Sequence, residues 1–181
     1  MTDITIDNCV ISEVGTDGYG MINFGKNIDQ LERVSITNST LINIGDQLMD
    51  VKGGIGDVIL ENCTFYNVIG ASRYFLDCQN IAPTIKLTNL IFAKANTAVL
   101  AEGVWTSTSR GVRANSTPTI SGVYFTADFV FGSNAFKPTY EYNNTSENLF
   151  TDPENGNFTI KDSSFDGKNS AGDPRWYMSA E

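Results

Sequence analysis

The sequence predicts an all-β fold, a parallel β-helix of about five coils closed by a C-terminal cap, and two observations carry that reading. The first is an internal repeat. The segments Ile4-Thr5-Ile6-Asp7-Asn8-Cys9-Val10-Ile11, Val34-Ser35-Ile36-Thr37-Asn38-Ser39-Thr40-Leu41, Val58-Ile59-Leu60-Glu61-Asn62-Cys63-Thr64-Phe65 and Ile85-Lys86-Leu87-Thr88-Asn89-Leu90-Ile91-Phe92 superimpose. Pro118-Thr119-Ile120-Ser121-Gly122-Val123-Tyr124-Phe125 is a weaker fifth copy, with glycine in place of asparagine. The second is a further strand-like run after each of the first four copies: Met21-Ile22-Asn23-Phe24, Leu48-Met49-Asp50-Val51, Phe75-Leu76-Asp77-Cys78 and Ala98-Val99-Leu100-Ala101. No copy holds a ten-residue stretch with apolar spacing of three and four, which disfavours a helical solenoid.

Each copy alternates apolar and polar residues, as a half-buried strand does; an asparagine then interrupts, and a second short strand follows. Asparagine suits the bend because it tolerates left-handed backbone and its amide can bond to the same amide one coil away. The steps between positions 8, 38, 62, 89 and 122 are 30, 24, 27 and 33 residues. Stacked coils, about 4.8 Å apart, place Ile6, Ile36, Leu60, Leu87 and Ile120 in one interior row and Ile11, Leu41, Phe65, Phe92 and Phe125 in another.

The repeat stops after Gly132, so residues 3–133 read as coils and 134–181 as a capping segment of the same domain. The open end of a coil stack exposes apolar rows and strand edges that something must cover. Phe150, Phe158, Ile160 and Trp176 are the expected covering residues. No equivalent segment precedes Asp3, from which we expect an N-terminal domain or further coils in a longer parent protein.

Composition narrows the chemistry. The chain of 181 residues has 41% hydrophobic and 18% charged residues, as a folded domain does. It has no histidine, which removes Ser-His-Asp and Cys-His mechanisms and most zinc sites. With 12 basic against 21 acidic side chains, net −9, it repels phosphate backbones, so nucleic acid is not an expected partner. Cys9, Cys63 and Cys78 match neither a Cys-x-x-Cys pair nor a disulfide framework and read as small buried residues. No run approaches the roughly 18 apolar residues of a membrane span, and Met1-Thr2-Asp3 opens into a strand pattern with no leader.

The Ile-x-Asn-Cys/Ser-x-Ile/Leu/Phe copies over residues 3–131 resemble the pectin-lyase-like family of right-handed, single-stranded parallel β-helices. The tail Asn148-Leu149-Phe150-Thr151-Asp152-Pro153-Glu154-Asn155-Gly156-Asn157-Phe158-Thr159-Ile160, with Gly172-Asp173-Pro174-Arg175-Trp176 beyond it, is similar to the C-terminal part of uncharacterised β-helix domains in exported proteins of glycan-degrading gut bacteria. The resemblance implies a polysaccharide partner and an extracellular, cell-surface or periplasmic location.

On the third run Asn23, Asp50 and Asp77 are spaced evenly by 27, and strand alternation sends all three outward together. In calcium-dependent lyases of the resembled family the corresponding face carries carboxylates that hold Ca²⁺ against an acidic sugar, with an arginine or lysine as base. The resemblance therefore nominates Asn23, Asp50 and Asp77 as metal ligands, and Lys52 or Arg73 as the base. The same pattern equally describes a solvated polar ladder neutralised by Lys52 and Arg73. Asp50 and Asp77, about 4.8 Å apart along the stack, are also compatible with a retaining glycosidase, the weaker enzyme reading.

Sugar rings stack on exposed aromatics, and Tyr66, Tyr74, Trp105 and Tyr124 are placed so that some should face outward. Residues 103–113 form the longest non-repetitive insertion, and function favours loops on rigid scaffolds. Tyr74, Trp105, Arg110 and Arg113 are accordingly the ligand-binding candidates. Glycan recognition or a scaffold role is the favoured function; a calcium-dependent polysaccharide lyase and an adhesin-like structural β-helix are the rivals.

Overall fold

The computed structural model describes residues 2–15, 19–26, 30–68, 73–95, 98–101, 104–106 and 110–178, giving only the backbone of 98–101 and 104–106. The chain winds as a β-solenoid. Three uninterrupted turns come first: β1 (Asp3–Asp7), β2 (Val10–Val14) and β3 (Ile22–Phe24); β4 (Gln30–Thr37), β5 (Thr40–Ile44) and β6 (Met49–Val51); β7 (Gly54–Glu61), β8 (Thr64–Tyr66) and β9 (Tyr74–Asp77). The fourth turn runs through β10 (Thr84–Thr88) and β11 (Ile91–Ala93), then an antiparallel hairpin of β12 (Ala98–Ala101) and β13 (Val104–Thr106), then β14 (Arg110–Arg113). In the fifth, β15 (Thr119–Ser121) and β16 (Tyr124–Thr126) are strands, while the third position shrinks to one bridge between Arg110 and Ser133. Finally β17 (Tyr140–Tyr142) adds a sixth strand to the second sheet. The coil count thus differs slightly from five even turns.

Three parallel sheets result, ordered β1-β4-β7-β10-β15, β2-β5-β8-β11-β16-β17 and β3-β6-β9-β14. Both interior rows expected from the repeat are in register: Ile6 with Ile36, Leu60, Leu87 and Ile120, and Ile11 with Leu41, Phe65, Phe92 and Phe125. The Phe65 and Phe92 rings stack at 4.8 Å and 14°, so adjacent coils meet through matched faces. Cys63 and Cys78 are buried, and burial pushes both thiols up to about 12.

Asn8, Asn38, Asn62 and Asn89 occupy left-handed backbone at the first bend, as Gly122 does in the fifth turn. Asn89 donates to Asn62 (3.1 Å), Asn62 to Asn38 (3.1 Å), and Asn38 to the Asp7 carboxylate (2.9 Å). The amide ladder therefore ends on an acceptor in the first coil. At its other end the ladder stops at Asn89, because Gly122 has no amide to extend it and a Cβ there would lie 2.4 Å from Asn89 Oδ1. The repeat did not announce a second ladder at the next bend: Asn67 donates to Asn43 (2.6 Å) and Asn43 to Glu13 (2.5 Å), with Glu13, Asn43, Asn67 and Lys94 all at positive φ.

Two expectations are corrected. The third strand of the fourth turn was expected at 98–101; β14 takes that place beside β9, and Ala98–Ala101 pairs within the hairpin. The residues expected to close the open end lie elsewhere. Phe150, Phe158 and Ile160 join Tyr66, Ile91, Ala93 and Tyr124 in a second apolar cluster on the outer face of the second sheet, with Trp176 packed against it. That segment comprises α1 (Ser146–Leu149), the hairpin β18 (Phe150–Asp152) and β19 (Asn157–Ile160), and a strap toward Trp176. Phe125, Phe129, Phe131 and Phe136 pack instead with the main core at its last turn. Among the described residues no helix is long and apolar enough to cross a membrane.

Candidate functional site

The displacement of Ala98–Ala101 by Arg110–Arg113 has a chemical consequence. It places Arg110 in register with Tyr74, and Arg113 with Asp77. The outward row of the third sheet therefore reads Asn23, Asp50, Asp77, Arg113. Two sets of residues that are far apart in the repeat pattern, the acidic row and the inserted arginines, form one face.

Asp77 is its centre. Although it points outward it is only 4% exposed, because neighbouring side chains close over it. Arg113 reaches both of its oxygens, through Nε at 2.6 Å and through Nη2, in the forked geometry that suits a carboxylate. The backbone N–H of Gln79 adds a third donor at 3.1 Å and Gln47 Nε2 a fourth at 3.5 Å. The Arg113 guanidinium also lies 4.7 Å from the centre of the Tyr74 ring, and Arg110 lies 5.2 Å from it. Tyr74 thus carries two cations rather than an open ring face. Hydrogen bonding to Asp77 raises the Arg113 pKa further.

The two base candidates are each paired. Lys52 Nζ is 3.7 Å from Asp50, and Arg73 Nε is 3.0 Å from Asp46. Asp50 Oδ1 and Asp46 Oδ2 are buried without a hydrogen-bond partner among the described residues. Burial raises the Asp50 pKa, with the Lys52 charge opposing that shift and Asp77 reinforcing it. Among the described residues no three His, Cys, Asp or Glu side chains gather as metal ligands. Asn23, Asp50 and Asp77 are aligned, but Arg113 occupies both oxygens of Asp77. Ca²⁺, a hard cation that takes roughly 6 to 8 oxygen ligands, does not fit this donor set as it stands.

Arg110 differs from its neighbours. Its Nη1 meets the Tyr74 hydroxyl at 3.4 Å, and it has no carboxylate partner among the described residues. Among the described residues the face carries Lys52, Arg73, Arg110 and Arg113 against Asp46, Asp50 and Asp77, one cation in excess on a chain of net −9. The Trp105 side chain lies outside the described residues.

Sequence reasoning missed a second aromatic locality. Tyr66, one of the aromatic candidates, is covered: it is 2% exposed and its hydroxyl meets Glu154 at 2.6 Å. Tyr124 is also largely covered, yet it stacks at 4.8 Å on Tyr140, which is 53% exposed. The signal that could have found Tyr140 is the alternation Tyr140-Glu141-Tyr142, which carries no bend asparagine and so falls outside the repeat.

Compared with known proteins, residues 58–176 match the family model described as Domain of unknown function (DUF5123). No curated protein and no solved structure matches the chain.

Proposed function

The chain belongs to the DUF5123 family, and from the charged face of its third sheet we propose that this domain recognises a carboxylate-bearing polysaccharide. The observation that carries the reading is the gathering of Lys52, Arg73, Arg110 and Arg113 on one sheet face of an otherwise acidic chain. An acidic glycan approaching elsewhere meets net repulsion; here it meets a guanidinium, Arg110, stiffened by an aromatic ring and without a carboxylate partner among the described residues. Rigid parallel strands hold such groups at coil spacing, about 4.8 Å, which suits a repetitive chain lying across the stack. The reading places the domain outside the cytoplasm, where such polysaccharides occur, in an exported protein of the kind that the resemblance of its C-terminal part implies.

A polysaccharide lyase draws on less. It requires an unpaired base beside an open carboxylate pair, whereas Lys52 and Arg73 are in ion pairs and Asp77 is enclosed.

The test is retardation in native gels containing polygalacturonate, run alongside an ultraviolet assay for unsaturated products with and without Ca²⁺. Retardation that weakens with added salt and in Arg110→Ala, with no product, supports recognition. Unretarded migration overturns it, and calcium-dependent product gives the face to a lyase.

A further inference from the structure

The outer row of the second sheet runs Thr40, Thr64, Ile91, Tyr124, Tyr140 in register. The C-terminal strap covers it rung by rung. Asp173 accepts from Thr40 Oγ1 at 2.7 Å, and its N–H donates to Thr64 Oγ1 at 3.0 Å. Gly172 passes so close to Ile91 that a Cβ there would meet Cδ1 at 2.8 Å. The Phe165 ring stands edge-on to Tyr124 at 4.8 Å. The covering stops at the last rung, leaving Tyr140 exposed on the last strand of the sheet.

Tyr140 has one face on Tyr124, with ring centres 4.8 Å apart and planes 29° from parallel. It borders an open depression of about 730 Å³, within the roughly 300–1,000 Å³ range of small-molecule sites. The rim is polar, with Lys137, Glu141, Asn143, Asn144, Ser164 and Asp166 around it, all exposed. The geometry points to a site for a neutral pyranose ring, stacked on Tyr140 where a further coil would otherwise place its next side chain.

Three features select that ligand. An aromatic face is electron-rich and attracts the weakly positive C–H groups on one side of a pyranose. The hydroxyls at the edge of such a ring require both donors and acceptors, and the rim supplies amides, carboxylates, a hydroxyl and an ammonium. Glu141 and Asp166 outnumber Lys137, which repels a uronate and favours an uncharged sugar. A protein partner is less suited, because a single exposed ring ringed by polar groups falls short of the ~800 Å² a side that stable protein interfaces bury. This site uses none of the arginine face and shares with the reading above only its ligand class.

The experiment measures retardation in gels containing neutral galactan, xyloglucan or mannan, together with saturation-transfer NMR on the matching methyl glycopyranosides. We expect binding to at least one, weakened about ten-fold by Tyr140→Ala and kept by Tyr140→Phe, in line with the loss of one stacked ring. Arg110→Ala should leave it unchanged while weakening retardation by polygalacturonate, so the two sites fail separately. Should Tyr140→Ala misfold, the double substitution of the exposed Asn143 and Asn144 by alanine keeps the test, with the same loss expected. The site is overturned by absence of binding to every neutral probe, by binding indifferent to both variants, or by a Tyr140-dependent doubling of mass in sedimentation, which gives the face to a second copy.

Discussion

Arg175 Nη2 donates to Asn8 Oδ1 at 2.7 Å, joining the end of the C-terminal strap to the first coil across 167 residues of sequence. The link is anchored by Asp173, whose carboxylate is 1% exposed and takes Thr40 Oγ1 at 2.7 Å, Arg175 Nε at 2.9 Å and the Arg175 N–H at 3.1 Å. Trp176 Nε1 adds a bond to the same Thr40 hydroxyl at 2.7 Å. The strap therefore touches the first, second, third and fourth turns in succession.

Asp173→Ala and Arg175→Ala should both be costly. The first leaves a buried hydroxyl and the strap's turn without their acceptor, a loss of about 2 kcal/mol or more. The second strands the enclosed Asp173 carboxylate without its cation, and with the Thr40 hydroxyl and the residue-175 N–H still donating to it the loss should be roughly 2–3 kcal/mol. Urea unfolding gives both values. Proteolysis of folded Asp173→Ala should cut first within residues 161–178; protection equal to wild type would show that the strap is held by its apolar contacts alone.

The amide ladder makes a ranked prediction at Asn62. Alanine there loses both side-chain bonds and must also sit at φ 53°, whereas glycine loses the bonds but accepts the backbone. We expect Asn62→Ala to be destabilising by roughly 2–3 kcal/mol and Asn62→Gly by about 1 kcal/mol less. Equal losses would mean that the bonds, not the backbone, set the cost.

What the sequence reveals follows from what repeats. Asn38, Asn62 and Asn89 recur with the apolar positions around them, so the rows, the bend and the ladder were legible together. Arg113 was legible only as an inserted loop residue, because Arg110-Gly111-Val112-Arg113 lacks the apolar residues of the other third strands, which the run Ala98–Ala101 supplies. Its meeting with Asp77 is a matter of register, which the intervening hairpin conceals. Thr40 and Thr64 are ordinary strand residues until Asp173 crosses them, so the strap had no local signature.

Asp7 predicts acid sensitivity with a definite sign. Hydrogen bonds from Thr37 and Asn38 lower its pKa below the ordinary 3.8. The stability it contributes is therefore complete above the unfolded value and is lost as pH falls through the lower, folded one. Wild type should exceed Asp7→Asn in thermal stability at about pH 6 and converge with it below about pH 3. A gap unchanged by pH would remove the carboxylate from the end of the ladder's energetics.

Asp50 has the opposite sign. Burial raises its folded pKa above 3.8, so the folded state favours the protonated carboxyl. Its contribution is fully present below the unfolded value and is lost as pH rises through the folded one. Asp50→Asn should therefore be more stable than wild type at neutral pH, with the advantage disappearing below about pH 4. A variant less stable at neutral pH would show that the Lys52 pair outweighs burial.

At the centre of the charged face the two members of one ion pair should not be equivalent. Asp77 is enclosed, its side chain 6% exposed, whereas that of Arg113 is 43% exposed. Removing Arg113 strands a carboxylate in a poorly solvated place; replacing Asp77 by asparagine lets the arginine turn to water while the amide keeps the bond from the Gln79 N–H. A buried charge left unpaired costs about 3–5 kcal/mol, and the half-exposed partner here lowers that to roughly 2–3 kcal/mol for Arg113→Ala. Asp77→Asn should lose about half as much, and Arg113→Lys should fall between, since a single ammonium cannot reproduce the fork. Chemical denaturation of the three variants gives the order. If Asp77→Asn proves the most damaging, the carboxylate's own bonds to Gln47 and Gln79, not its pairing with Arg113, hold the third sheet together at this rung.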